Sequence, residues 1–180
     1  GVVLDTEGRS SSELQAAADT VRRGVIMYSE GMPVVEDMPG IVAARVHNAL
    51  YLSPELNLNK LIRPDFAIFR VADVGEDVLH REISVALFNG YGTELNMFRP
   101  GGRGEEFRKD LDYLAQTTYI LRRNSDAFTG GNWTPLITSG ADRVYVNSWN
   151  AGEKKVFTVL NMRSEERRVG KEWRSRRSPY

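Results

Sequence analysis

The feature that most constrains the fold is a strand, a helix and a second strand packed into the opening of the chain. Residues 2–5, "VVLD", are too short for a helix and are mostly β-branched, so they predict a buried strand. In "GRSSSELQAAADTVRRG" Ser10 and Glu13 have capping-box spacing, and Leu14, Ala17, Ala18 and Val21 share one helical face. Gly24 suits the position just past a helix end. "VIMYSE", residues 25–30, then predicts the second strand. Two strands joined by one helix of this length form a parallel βαβ unit with a right-handed crossover.

That second strand ends on a charge, Glu30. A buried ionised carboxylate is costly without partners, so Glu30 either meets water at the strand end or belongs to a polar site. The rest of the chain bears on the choice. "MPGIVAARVHNALYL", residues 38–52, places Ile41, Ala44, Val46 and Leu50 at spacings that predict a helix, with His47 inside it. "DFAIFRV" predicts a strand, "GEDVLHREISVALFNG" a helix ending at Gly90, and "TELNMF" a short strand. After the glycine-rich "RPGGRG" a long helix is expected from Glu105 to Phe128, with Phe107, Leu111, Leu114, Thr118 and Leu121 on one face. The alternation of strands and helices defines an α/β fold. From Asn132 the chain turns β-rich: "WTPLI", then "RVYVNSW" and "KKVFTVLN" joined by "NAGE", which predicts an antiparallel hairpin.

Strand ends that precede helices share one face of a parallel α/β sheet, and that face carries the active site in barrels and open sheets alike. Asp5 closes the first strand and Glu30 the second. Neighbouring strands lie about 4.8 Å apart, so the two carboxylates are expected side by side. Two carboxyl groups in one cleft cannot both ionise freely; one is pushed toward the acid form while the other stays anionic. Glycosidic bond cleavage requires that division of labour. A separation of about 5–5.5 Å fits retention through a covalent intermediate, and about 6.5–9.5 Å leaves room for an inverting water.

"VVLDTEG" with "VIMYSEG", then "LDYLAQTTYILRRNSDAF", "TPLI", "VYVNSW" and "VFTVLNM", resembles the second half of a glycoside hydrolase (β/α)-barrel running into its C-terminal β-sandwich. The likeness is to amylase-like barrels, including bacterial endo-α-N-acetylgalactosaminidase relatives. It implies a partial (β/α)8 TIM-type barrel over residues 1–131 and the first strands of an all-β domain over 132–162. It also implies that Asp5 is the nucleophile and Glu30 the acid/base. Amylase-type enzymes carry Arg two positions before the nucleophile, where this chain has Val3, and only Asp73 and Asp77 stand near the place of their third carboxylate. The expected partner is a carbohydrate substrate, without cofactor or metal, and the sugar, linkage and oligomeric state stay open. The alternative is a non-catalytic carbohydrate-binding or scaffold protein whose carboxylates merely finish loops, the outcome expected if they diverge or pair with Lys or Arg.

Other residues have plainer readings. Glu7 could stand in for Asp5 but better opens the loop, and Glu36 and Asp37 could line a cleft but better read as solvated. Tyr28 and Trp133 could stack on sugar rings, although core packing is the default for Tyr28. His47 and His80 lack ligands at metal spacing, and "NGYG" and "PGGRG" are turns without the lysine spacing of a phosphate loop. The chain has no Cys, which removes disulfides and thiolate metal sites and leaves the compartment open.

Residues 163–180, "RSEERRVGKEWRSRRSPY", resemble a translated sequencing adapter, differing at Trp173 and Arg177, and are expected to be a disordered, non-native tail. They carry 7 basic and 3 acidic residues, so without them Lys+Arg falls from 24 to 17, Asp+Glu from 24 to 21, and the net charge to −4. A mildly acidic chain has no nucleic-acid signature, and no apolar run is long enough for a membrane span. The start at Gly1 predicts a chain that begins mid-gene, lacks the first half of its barrel, exposes sheet edges and is inactive or insoluble alone.

Overall fold

The computed structural model describes residues 1–5, 12–31, 33–47, 56–74, 79–96 and 105–163. Strand β1, Val2–Leu4, is followed by helix α1, Ser12–Val21, and by β2, Met27–Glu30. Val2, Val3 and Leu4 pair in parallel with Met27, Tyr28 and Ser29, as the opening βαβ reading expects. Gly24 follows α1 at φ +80°, a left-handed position that glycine adopts without a Cβ penalty. Ser10 lies outside the described residues, so its capping role is not in view.

The next segment departs from expectation. In place of a helix the chain makes a 3-10 turn at Met38–Gly40 and then strand β3, Ala43–Val46. β3 sits between β2 and strand β4, Ala67–Asp73, in parallel with both. Pairing on both edges satisfies its backbone donors and acceptors, which outweighs the spacing of four apolar side chains. A one-turn helix α2, Asn59–Ile62, precedes β4, helix α3, Leu79–Phe88, follows it, and β5, Gly92–Asn96, completes the sheet. The five parallel strands lie side by side in chain order.

The helices meet one face of this sheet. Ala44, Val46 and Ile68 pack with Met27, Met38, Ile41, Phe66, Ala86 and Tyr91, with Ala18 of α1 against them. Ala72 packs with Leu79 and Ile83 of α3. Between these clusters the fully buried Arg70 of β4 donates from Nε to Glu82 Oε2 of α3 at 2.7 Å. Successive residues of a strand point to opposite sides, so Tyr28, Glu30, Ala43, Arg45, Phe69, Val71 and Asp73 belong to the other face.

The long helix is broken in two. α4, Glu105–Arg123, stops at Asn124, whose Nδ2 donates back to the Ile120 carbonyl, and α5, Ser125–Thr129, follows. Phe107 and Leu114 of α4 face the α3 cluster and Leu121 the aromatic cluster beyond it, whereas Leu111 is exposed. β6, Asn132–Thr134, β7, Val144–Ala151, and β8, Lys154–Asn161, form an antiparallel three-stranded sheet, with the expected hairpin between the last two. Its inner face buries Trp149, stacked on Trp133 at 5.4 Å and tilted against Phe128 at 5.0 Å.

Polar side chains tie this sheet to the end of α3. Asn147 Nδ2 and Thr158 Oγ1 both donate to the Phe88 carbonyl, at 2.9 and 2.8 Å, and Trp149 Nε1 donates to Thr158 Oγ1 at 3.0 Å. A helix-terminal carbonyl without an intrahelical partner is thereby satisfied. On the surface Lys154 Nζ reaches Asp126 Oδ1 of α5 at 2.9 Å, and this hydrogen bond holds the Asp126 carboxyl below its usual range. Arg163 is held by its Nε on the Asp142 carbonyl, and residues 164–180 lie outside the described residues.

Candidate functional site

The carboxyl ends of the parallel strands carry a polar cluster on the face away from the helices. Glu30 is the last residue of β2, and Gly31 follows at φ +85°, donating its backbone N–H to the Arg45 carbonyl. The β2–β3 register pairs Glu30 with Arg45, so both side chains leave the same face. His47, just past β3 and two residues from Arg45, shares that face. Glu30 Oε1 lies 3.7 Å from Arg45 Nη1 and 3.2 Å from His47 Nε2. Arg45 Nη2 extends across to Glu94 Oε1 of β5 at 2.7 Å. One guanidinium therefore touches two carboxylates from strands on either side of it, while its buried Nε–H has no acceptor among the described residues. Past this group, Asn96 Nδ2 donates to Asp73 Oδ1 at 2.7 Å across the β4–β5 register.

Asp5 is exposed and follows β1 directly. The β1–β2 register runs to Leu4 opposite Ser29, so the next position along each strand is Asp5 on one and Glu30 on the other. Tyr28, two residues before Glu30 and on the same face, is half-buried between Val3 and Ala43 in the register. Asp37 lies in the β2–β3 connection, half-buried, where its carbonyl accepts from Gly40 N–H. Asp73 ends β4 and shares the sheet face with Glu30. Glu7 and Asp77 lie outside the described residues.

Other candidates belong elsewhere. Trp133 is buried in the aromatic cluster of the three-stranded sheet and is unavailable as a platform. His80 stacks on Tyr113 at 4.2 Å and meets Asp110 at 3.1 Å, on the surface where α3 and α4 pack. Asn89 and Gly90 form the turn that ends α3, with Gly90 at φ +67°, and Gly92 already opens β5. Among the described residues no group of three or more His, Cys, Asp or Glu could hold a metal ion.

Arg45, His47 and Glu94 are the residues that sequence reasoning missed. Reading 38–52 as a helix hid the alternation Ala43, Arg45, His47 against Ala44, Val46, the one signal that would have put Arg45 and His47 on the face of Glu30. Glu94 stood inside a short strand with nothing local to mark it.

No protein-family model matches this chain, and no curated protein matches it. Among solved structures, the noncanonic maltogenic alpha-amylase AmyB from Thermotoga neapolitana is similar at 15% identity with a TM-score of 0.47. The match covers 83% of this chain and 44% of that amylase, so this chain spans less than half the length of its neighbour.

Proposed function

We propose that the chain is part of a glycoside hydrolase barrel that cleaves glycosidic bonds with retention, Asp5 acting as nucleophile and Glu30 as acid/base. The observation that carries this reading is the register: Asp5 directly follows β1 and Glu30 ends β2, each one position past the last pair, Leu4 with Ser29, of two adjacent parallel strands. Neighbouring strands about 4.8 Å apart favour the short carboxyl separation that a covalent intermediate needs. Parallel strands in simple chain order are the order of a barrel wall. In this reading residues 1–131 are barrel and 132–162 begin a β-rich domain, with Tyr28, Asp37 and Asp73 beside the substrate.

Turnover of 4-nitrophenyl α- and β-glycosides of glucose, galactose and N-acetylgalactosamine by the whole protein of which this chain is a part, followed by proton NMR of the fresh product, tests it. Retained anomeric configuration, lost in Asp5→Asn and Glu30→Gln, is the expected result. Inverted product would refute the mechanism.

A second reading has its own observation. Arg45 and His47 sit on Glu30, and a carboxylate held by an arginine is a hydrogen-bonding group before it is an acid. A non-catalytic carbohydrate-binding role follows if sugars bind while no glycoside is turned over.

A further inference from the structure

We propose that Phe69 is the aromatic platform of this site, on which the apolar face of a pyranose ring stacks while Arg45, Glu94 and Glu30 meet the ring's hydroxyls. The proposal rests on the carbohydrate reading above and adds a residue and a binding mode to it.

Phe69 stands at the centre of the polar face. In the register Glu30 pairs with Arg45, Arg45 with Phe69, and Phe69 with Gly92, so Phe69 leaves the same sheet face as Glu30 and Arg45. It leaves the sheet on the side opposite the helices, and 40% of the residue is open to solvent. A large aromatic residue in a central strand with helix-packed neighbours on either side, Ile68 at 3% and Arg70 at 0%, is normally covered.

The neighbouring strand is shaped to seat the ring. A Cβ added at Gly92 would lie 2.7 Å from Phe69 Cδ1 and 2.9 Å from Cε1. The ring therefore occupies the space that any side chain at position 92 would take, resting against bare backbone. Gly92 is outside the left-handed region, so nothing in its own conformation demands glycine; the contact with Phe69 does. One ring face or edge is fixed by β5, and Arg45 and Glu94, paired at 2.7 Å, belong to the same sheet face.

The chemistry of that combination is specific. A pyranose presents axial C–H groups on one face and hydroxyls around its rim. An aromatic surface suits the first, and a guanidinium flanked by carboxylates offers donors and acceptors at close spacing for the second. A phosphate or other polyanion would meet Glu30 and Glu94, both already on the Arg45 guanidinium, and their like charge disfavours it.

The test is titration of the whole protein of which this chain is a part with maltotriose and with cellotriose, read by proton NMR of the sugar. Stacking on a benzene ring moves the facing sugar C–H signals upfield, a signature that a purely structural Phe69 would not give. The expected result is an upfield shift on at least one trisaccharide. Phe69→Ala should abolish the shift and weaken binding about tenfold, whereas Phe69→Tyr should keep both. Gly92→Ala, which displaces the ring without removing it, should weaken binding in the same direction. Phe69→Leu, matched in hydrophobicity, separates lost stacking from lost fold through an unchanged Tm. Unaltered binding in Phe69→Ala, binding without an upfield shift, or no binding of either sugar at millimolar concentration each overturns the platform. The turnover assay answers separately for the glycosidase reading: a chain that hydrolyses glycosides with retention while Phe69→Ala binds normally keeps its mechanism and loses the platform.

Discussion

At the scale of single residues, two buried or constrained positions make opposite demands on the solvent and on the backbone. Lys60 is buried in α2, where it donates to the Pro64 carbonyl at 2.6 Å and lies 5.8 Å from the Trp149 ring centroid. Burial pulls its pKa down to about 8 from 10.5, with Asp65 pulling the other way. The unfolded chain therefore holds a proton on this amine that the folded chain releases between pH 8 and 10.5. Stability should rise with pH through that window and carry the full penalty below it. Urea melts at pH 7.5, 8.5 and 9.5 should show Cm climbing in the native chain and a flatter profile in Lys60→Met. Gly90 is constrained differently: φ is +67°, and a Cβ there would lie 2.9 Å from Phe128 Cδ1 and 3.3 Å from Trp149 Cη2. Gly90→Ala combines left-handed strain with overpacking and should cost about 2–5 kcal/mol. Gly24 has φ +80° and open space around it, so Gly24→Ala should cost only about 1–2 kcal/mol. Equal losses in thermal melts of the two variants would contradict the packing argument. Both glycines were legible in the sequence as helix ends, because the residue type itself reports the backbone; Lys60 gave no such signal, since its burial comes from strands and helices distant in the chain.

At the scale of elements, what could be read depended on how far each pattern ran. The β1–α1–β2 unit, α3, and the β7–β8 hairpin follow their sequence patterns because each has a sustained period or a helix-ending glycine. β3 did not, since four residues give too few alternations to outweigh Ile41, Ala44, Val46 and Leu50 at helical spacing, and its strand state is fixed by partners on both sides. The cost of that misreading was the polar cluster around Glu30, because Arg45 and His47 join it only when 43–47 is extended. α4 stops at Asn124 for a local reason the sequence does display, an amide able to bond back to the preceding turn. Between elements, the three-stranded sheet is anchored by Asn147 and Thr158 on the Phe88 carbonyl. Asn147 is fully buried and also accepts from Leu136 N–H at 3.0 Å, so Asn147→Ala strands the Leu136 amide and leaves the Phe88 carbonyl to Thr158 alone. A loss of about 2–4 kcal/mol is expected, with faster amide exchange at Leu136 by hydrogen-exchange NMR. Unchanged exchange there would show that the anchor carries no load.

For the whole molecule, strand order gathers acidic residues distant in the chain onto one face. Five parallel strands in chain sequence bring Asp5, Glu30, Arg45, Phe69 and Glu94 to one face although up to 89 positions separate them along the chain. The two carboxylates at adjacent strand ends were readable because a strand ending in a charge is a local anomaly. The arginine that bridges Glu30 to Glu94 was not, because only the register of three separate strands creates it. The central proposal is that Asp5 forms the covalent glycosyl bond, and the most direct measurement is peptide mapping by mass spectrometry after incubation of the whole protein of which this chain is a part with 2-deoxy-2-fluoroglycosyl fluorides of both anomers. The account predicts one added sugar on the peptide containing Asp5, absent in Asp5→Asn and slower to form in Glu30→Gln. A sugar carried by another residue, or hydrolysis of the reagent with no labelled peptide, would contradict it.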